Sequence, residues 1–374
     1  MEIYLVGGAV RDKLLGLPVK EKDWLVVGAT PEQMIDDGFR PVGKDFPVFL
    51  HPTTHEEYAL ARTERKVAPG YQGFTFHADE TVTLEQDLLR RDLTINAMVE
   101  NTEGKLLDPL NGQQDLNDRR LRHVSAAFSE DPVRILRVAR FLARFAHLGF
   151  SIADETLALM QSMVKAGEVK HLVAERVWQE CDKALGEKNP EYFLETLQRS
   201  DAIDDVLPGF DATTLPLAIK HIKQIKIQSP SKPLCFAAMV FSLDLKIIES
   251  LCERLAVPNT YRDLALLLKE YHQPLIQVAT LDAKEIVNVI QRTDAHRKKE
   301  RFALLLMGAC ILNEKNNDEL RHFWQVIIEA YLAVDPQVFI KNGLQKAELG
   351  KAIAQQRLDN VQALKKSLLD KGTL

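Results

Sequence analysis

Glu21 and Asp23, two carboxylates two positions apart, follow the glycine pair Gly7-Gly8 and the pair Arg11-Asp12 within one short stretch, YLVGGAVRDKLLGLPVKEKDWLVVG. Side chains two apart on a strand share a face, so these acids would offer paired hard oxygen ligands of the kind Mg²⁺ takes. Ions held there can activate an attacking hydroxyl and stabilise a leaving pyrophosphate. Glycines let the backbone approach a ligand closely, and the N–H groups opening a helix behind them favour an anion such as a triphosphate. Each part has a plainer reading: a glycine pair is an ordinary turn, and Glu-Lys-Asp a solvated strand edge. The combination within one stretch carries the signal.

Further along, Arg90-Arg91-Asp92-Leu-Thr-Ile-Asn-Ala97 offers a guanidinium fork at Arg91 that suits phosphate and an acid at Asp92 that suits a ribose hydroxyl or a metal. Asp92 reads equally well as a helix cap. In SEDPVRILRVARFLARF, Asp131 is placed to cap a helix with Pro132 at its first position. Val133, Leu136, Val138, Phe141, Leu142 and Phe145 form its apolar side. Arg134, Arg137 and Arg140, three apart, drift about 60° per step and make one basic stripe. A solvated face would explain that stripe as well.

These stretches, in this order, resemble the motifs of class II tRNA nucleotidyltransferases, the CCA-adding enzymes, and of the related bacterial poly(A) polymerases. The family pattern opens with Gly-Gly, Arg-Asp and Asp-x-Asp; Glu21 stands where the first aspartate is usual, keeping the carboxylate one methylene further out. Arg90-Arg91-Asp92 resembles the second motif, with Leu93 for the usual aromatic, and Asp108-Pro109, Asn111-Gly112 and Asp115 resemble the third, a turn orienting the catalytic head. Glu130-Asp131-x-x-Arg134-x-x-Arg137 resembles the nucleotide-reading motif. There a carboxylate accepts from the exocyclic amino group of C or A while an arginine donates to the neighbouring ring nitrogen. Glu175-Arg176 with Glu180 resembles the fifth motif, read as a brace on a helix.

The resemblance implies an α+β protein: a mixed nucleotidyltransferase head, sheet with helices, over 1–124, a helical neck with the nucleotide-reading motif over 125–185, and a helical, tRNA-binding body and tail over 186–374. It implies CCA addition to the tRNA 3′ end from CTP and ATP, with Glu21 and Asp23 holding Mg²⁺, Gly8, Arg11 and Arg91 on phosphates, Asp92 beside them, and Asp131, Arg134, Arg137 and Arg140 at the base. A poly(A) polymerase or A-adding enzyme shares the same head. A non-catalytic tRNA- or nucleotide-binding protein is the rival from another class, with Glu21 as its support.

The elements that must position these residues are partly readable. Pro47–His51 and Glu57–Arg62 read as strands, Pro31–Asp37 as a helix capped by Thr30, and Lys66–Thr81, with Pro69, Gly70 and Gly73, as a loop. Beyond Glu180 the chain reads as helical. Lys220, Lys223 and Lys226, and Arg297 to Lys299, form further basic stripes that either contact tRNA phosphates or face solvent. With 374 residues, 46% hydrophobic and 27% charged, the chain has the composition of a globular protein of two or more domains. Its net charge of −5 argues against indiscriminate nucleic-acid binding and leaves room for a local basic face. Cys181, Cys235, Cys252 and Cys310 are scattered singly among apolar residues and read as core thiols. No apolar run reaches transmembrane length, and a cytoplasmic protein is the expectation. Longer gammaproteobacterial relatives carry a metal-dependent phosphohydrolase tail built on a His-Asp pair. No His-Asp dipeptide occurs here, and Phe241-Ser242 stands where such a pair would sit.

Overall fold

The apolar run before the glycines becomes strand β1 (Glu2–Val6), the turn opens helix α1 (Gly8–Leu14), and the acids lead into β2 (Asp23–Val27), in a computed structural model that describes residues 1–42, 48–66, 74–77 and 80–370. β1 and β2 pair antiparallel with Val6 opposite Asp23. The glycine turn and the acids therefore lie at the same end of the sheet, with α1 as the connection between neighbouring strands. The strand begins at Asp23, so Glu21 sits in the extended segment just before it and not on the strand itself.

Helix α2 (Pro31–Asp36) starts as its sequence dictates: the Thr30 hydroxyl accepts from the Gln33 amide, Gln33 reaches back to the Thr30 amide, and Pro31 takes the first position. Strands β3 (Arg40–Val42), β4 (Val48–Leu50) and β5 (Glu57–Leu60) follow. The stretch read as a loop contributes structure after all, because β6 (Thr63–Lys66) pairs antiparallel with β7 (Phe74–His77). The remainder of that stretch, 67–73 and 78–79, lies outside the described residues. After α3 (Leu84–Leu89), β8 (Val99–Asn101) and β9 (Leu106–Leu107) complete a mixed sheet of order β3-β4-β5-β2-β1-β8-β9. Its β2 and β5 run parallel and set Asp23 opposite Glu57.

Period-two alternation gives the sheet two apolar faces. Tyr4, Val6, Leu25 and Val99 pack with Leu88 on one, and Val26, Phe49 and Leu60 with Met34 on the other. Asp23, two positions before Leu25, continues the first face past the end of its apolar part.

Helix α4 (Gly112–Asn117) is fixed by the Asp108 carboxylate, which accepts from the Gly112 and Gln113 amides at 2.7 and 2.9 Å. A Cβ on Gly112 would collide with the Thr94 carbonyl, so only glycine lets α4 press against the turn Thr94–Asn96. Strand β10 (Arg120–Leu121) then leads to α5 (Val133–Phe145), which begins one residue later than its sequence suggests. Pro132 is already helical in backbone angle, while Asp131 is extended and accepts from the Val133 amide at 3.1 Å. Strand β11 (Ser151–Ile152), which pairs with β10, and helices α6 (Asp154–Lys165), α7 (Ala174–Gly186), α8 (Glu191–Arg199) and α9 (Ile203–Val206) complete a first compact unit, Met1–Pro208.

The second unit, Gly209–Leu374, is helical in its described part, beginning with α10 (Thr214–Gln228), α11 (Lys232–Val240), α12 (Leu245–Arg254) and α13 (Asn259–Ile276). All four cysteines are buried and form no disulfide, as core thiols. None of the described helices is long and apolar enough to cross a membrane.

Candidate active site

One cavity of about 740 Å³ in the first unit is lined by the ten residues expected to serve metal, phosphate or base: Gly8, Arg11, Glu21, Asp23, Arg91, Asp92, Asp131, Arg134, Arg137 and Arg140. Its described lining holds nine basic and five acidic side chains, in a chain whose net charge is −5. The local field is thus opposite in sign to the whole and suits a polyanionic ligand.

At the acidic end, Asp23 opens β2 and Glu21 precedes it. Burial, followed by the neighbouring Glu21 charge, pushes the Asp23 carboxyl above its ordinary value, with Arg91 pulling the other way. Two carboxylates that repel each other gain from a shared cation. Glu57, which the sequence marks only as the start of a strand, adds a third acid: the parallel pairing of β2 with β5 sets it opposite Asp23, and it lines the same cavity. No three histidine, cysteine or acidic groups among the described residues gather into a metal cluster. The donor set fits Mg²⁺ nonetheless, because that ion binds one or two carboxylates and completes its shell with water and phosphate oxygens.

The turn is built around arginines. Gly7 has φ +68°, and a Cβ there would lie 3.3 Å from Arg91 Nη1, so glycine is what lets Arg91 lie against the turn. Arg91 donates to Asp87 from Nη2 at 3.1 Å. Burial alone would raise the fully buried Asp87, yet Arg91 and Arg90 hold it below its ordinary value. Arg11 departs from the phosphate-cradling role expected of it. It is only 2% exposed, its Nε and Nη2 donate to Asp12 at 2.9 and 2.8 Å, and its Nη1 donates to Asn96. Phe141 and Phe145 of α5 lie 5.2 and 4.9 Å from its guanidinium carbon, and Arg144 donates to the other oxygen of Asp12 at 2.7 Å. Burial lowers the pKa of Arg11. Arg11 therefore ties α1 to α5 within the cavity wall.

The stripe on α5 is no solvated face: Arg134 and Arg140 are each 8% exposed. Arg134 donates to the carbonyls of Ala127 and Arg90 at 2.7 and 2.5 Å. Arg137 donates to Asp92 at 2.7 Å, and Asp92 also accepts from Asn96 at 3.0 Å and from the Leu93 amide at 2.8 Å. Burial would raise Asp92; Arg137 outweighs it and holds this carboxyl well below the usual range. Asp92 is thus neither a simple cap nor open to solvent. Asp131 is held from two sides. It caps Val133, and Arg176 of α7 grips both of its oxygens at 3.2 and 2.8 Å. Glu180, one turn along α7, is buried and accepts from Arg140 at 2.6 Å. The expected brace is therefore present, and its Arg176 also reaches the cavity wall.

The chain matches the model of the poly A polymerase head domain over residues 3–122 and that of the probable RNA and SrmB-binding site of polymerase A over residues 149–214. It is 47% identical to the multifunctional CCA protein of Teredinibacter turnerae, over 98% of each chain. It is 46% identical to the CCA-adding enzyme of Coxiella burnetii, over 97% of this chain and 96% of that one. Among solved structures, the CCA-adding enzyme of Bacillus stearothermophilus in complex with CTP shares the fold with a TM-score of 0.72 at 21% identity, over 99% of this chain and 93% of that one. The Thermotoga maritima CCA-adding enzyme complexed with tRNA does so with a TM-score of 0.70 at 19% identity, over 99% of this chain and 91% of that one.

Proposed function

We propose, because this chain belongs to the CCA-adding enzyme family, that it adds C, C and A in turn to the 3′ end of tRNA without a template, using CTP and ATP and releasing pyrophosphate. The observation that carries this reading is the single cavity in which Glu21 and Asp23, the Gly7-Gly8 turn, and Asp131 with Arg134 meet. A binding protein without chemistry would not need the paired acids.

In the reaction, the terminal 3′-hydroxyl oxygen of the tRNA loses its proton to solvent and forms a bond to the α-phosphorus. The bond from that phosphorus to the bridging oxygen breaks, and pyrophosphate leaves with the electron pair. Nucleotidyl transfer in this family generally uses a divalent cation, and Glu21 and Asp23 are the residues that would hold Mg²⁺. Bound there, the ion supplies charge neutralisation at the transferring phosphate and acidifies the attacking hydroxyl. Gly8 lets the polyphosphate approach the backbone, and Arg91 beside the turn supplies a donor fork. Asp131 accepts from the amino group of C or A and Arg134 donates to the adjacent ring nitrogen, a pattern that U and G reverse. Asp92 fixes Arg137, and Glu180 fixes Arg140, at the wall beside the base. Arg11 acts through the turn it supports.

Residues 1–124 then carry the transfer chemistry, 125–185 read the base, and 186–374 hold the tRNA, with the stripe of Lys220, Lys223 and Lys226 on its phosphates. The test is incubation with tRNA lacking its CCA end and with the four nucleotides singly and together, followed by sequencing of the ends. CCA and nothing longer is the expected product. A run of A would make the chain a poly(A) polymerase, A alone on a CC end an A-adding enzyme, and no extension at all a binding protein.

A further inference from the structure

We propose that Lys183 is a phosphate-binding residue of this cavity, taking a phosphate of the nucleotide or of the tRNA end. The inference rests on the nucleotidyl-transfer reading above and adds a residue to it.

Arg176, Glu180 and Lys183 are spaced four and three apart on α7, so they fall on one stripe of the helix, with Lys183 about 10 Å along from Arg176. Arg176 and Lys183 both line the cavity. The arginines around it are already bonded to the protein: Arg11 to Asp12 at 2.8 Å, Arg91 to Asp87 at 3.1 Å, Arg137 to Asp92 at 2.7 Å, Arg140 to Glu180 at 2.6 Å and Arg176 to Asp131 at 2.8 Å. Lys183 differs from all of them. Its ammonium is 3.9 Å from Glu180, beyond hydrogen-bond reach, and Glu180 is already bonded to Arg140. Its side chain is 48% exposed.

A flexible stem ending in a compact charge with three donors can follow a phosphate as substrate enters, which the fixed guanidinium planes cannot do. The position also favours a phosphate over a base. Helix α5 carries Asp131 just before its first turn, paired with Arg176, and Arg140 and Arg144 in its last turns, paired with Glu180 and with Asp12. Asp12 lies on α1, which opens at Gly8, so α5 leads from the base-reading acid toward the glycine turn. Lys183, one turn beyond Glu180, stands toward the turn end. An ammonium on a phosphate has no means of telling C from A, so its loss should affect both nucleotides alike.

The experiment compares the full-length wild type with Lys183→Gln and Lys183→Arg. It measures KM for CTP on tRNA lacking CCA, KM for ATP on tRNA ending in CC, and KM for each tRNA. It also measures equilibrium binding of CTP and of cytidine, which has no phosphate. Lys183→Gln is expected to raise KM for CTP and ATP by the same factor, about tenfold, equivalent to about 1.4 kcal/mol, more than it lowers kcat. It should weaken CTP while leaving cytidine unchanged, and Lys183→Arg should recover most of the loss. That outcome assigns the contact to the nucleotide. A raised KM for both tRNAs, with a flatter salt dependence and unchanged nucleotide KM, assigns it to the RNA backbone. The proposal is overturned if neither KM moves, if CTP and ATP diverge, or if cytidine weakens as much as CTP. Should the wild type extend no tRNA, the broader reading fails, while the CTP and cytidine comparison still decides whether Lys183 holds phosphate.

Discussion

The two units bury different things. Among the described residues, every buried charged side chain lies in Met1–Pro208, including Arg11, Asp12, Asp87, Asp92, Arg134, Arg140 and Glu180, whereas Gly209–Leu374 buries no polar residues beyond Ser229 and Thr293. Helices α5 and α11 state the contrast within single elements. Helix α5 buries Arg134 and Arg140 among Ile135, Leu136 and Phe141, while α11 buries an unbroken apolar run from Leu234 to Val240. Removing a charge from water costs several kcal/mol unless partners await it. In α5 they do wait, from the 90–92 segment and from α7. Such matched sets are poor sources of stability and good evidence of a site that must hold charges in fixed places.

The comparison is broken most directly at the acids. Asp23→Ala should reduce nucleotide addition on the order of a thousandfold, about 4 kcal/mol of barrier, with an unchanged melting temperature, and Glu21→Asp should stay active. A fully active Asp23→Ala protein would remove the acids from the chemistry. Next comes Asp131→Ser, which keeps a capping oxygen for the Val133 amide while withdrawing the charge from the base and from Arg176. Discrimination of C and A from U and G should fall about tenfold or more, worth at least about 1.4 kcal/mol, and Arg134→Ala should act in the same direction. Incorporation of each of the four nucleotides measures both; wild-type selectivity in Asp131→Ser would leave that acid a helix cap alone.

A smaller effect is expected at Asp92. Asp92→Asn should cost about 2 kcal/mol of stability near neutral pH, since Arg137 loses a charged acceptor. The Asp92 carboxyl is depressed in the folded state. Its contribution is therefore present above the unfolded carboxylate value of about 3.9 and is lost as pH falls through the lower folded value. Melting temperatures of wild type and variant should run apart at neutral pH and converge in strong acid. A constant gap down to the lowest pH would mean the loss is one of packing.

In the second unit, changing Lys220, Lys223 and Lys226 to Ala should flatten the salt dependence of tRNA affinity by about 0.7 to 0.9 log units per log unit of salt for each phosphate contact removed. An unchanged slope would make the stripe a solvated face. The smallest expected effect is none. Phe241 packs edge-on to His221 and His272, with ring centres 5.5 and 4.7 Å away, and the Ser242 hydroxyl donates to the Thr214 carbonyl at 3.0 Å. No phosphate should be released from a 2′,3′-cyclic substrate with Ni²⁺ or Co²⁺. Release by protein free of contaminating enzymes would show chemistry in the unit that buries no charge.

What the sequence made legible follows the distance between partners. The glycine turn, α1 and the acids lie within one stretch, and Thr30 with Pro31 starts α2 through neighbouring residues, so spacing alone places them. Glu57 is not legible as a site residue because its link to Asp23 exists only through the pairing of β2 with β5. Arg11 resembled a free cation because Phe141, Phe145 and Arg144, which enclose it, come from far along the chain. Phe74–His77 reads as loop because the nearby proline and glycines outweigh four residues that alternate as a strand does. The buried state of Arg134 and Arg140 was hidden for a related reason: a periodic stripe of arginines looks the same whether water or ion-pair partners face it.

The register that puts Val6 opposite Asp23 also governs where the chain tolerates a change of length. Lengthening the segment from Leu17 to Lys22, which has no regular structure, would add slack between α1 and β2 while the ladder of hydrogen bonds stays in step. Deleting one residue inside Asp23–Val27 would instead turn every following side chain of that strand to the opposite face. Leu25 would then leave its apolar layer and Val26 would enter it. A graft of foreign peptide belongs before the acids, and the strand behind them is closed to insertion and deletion alike.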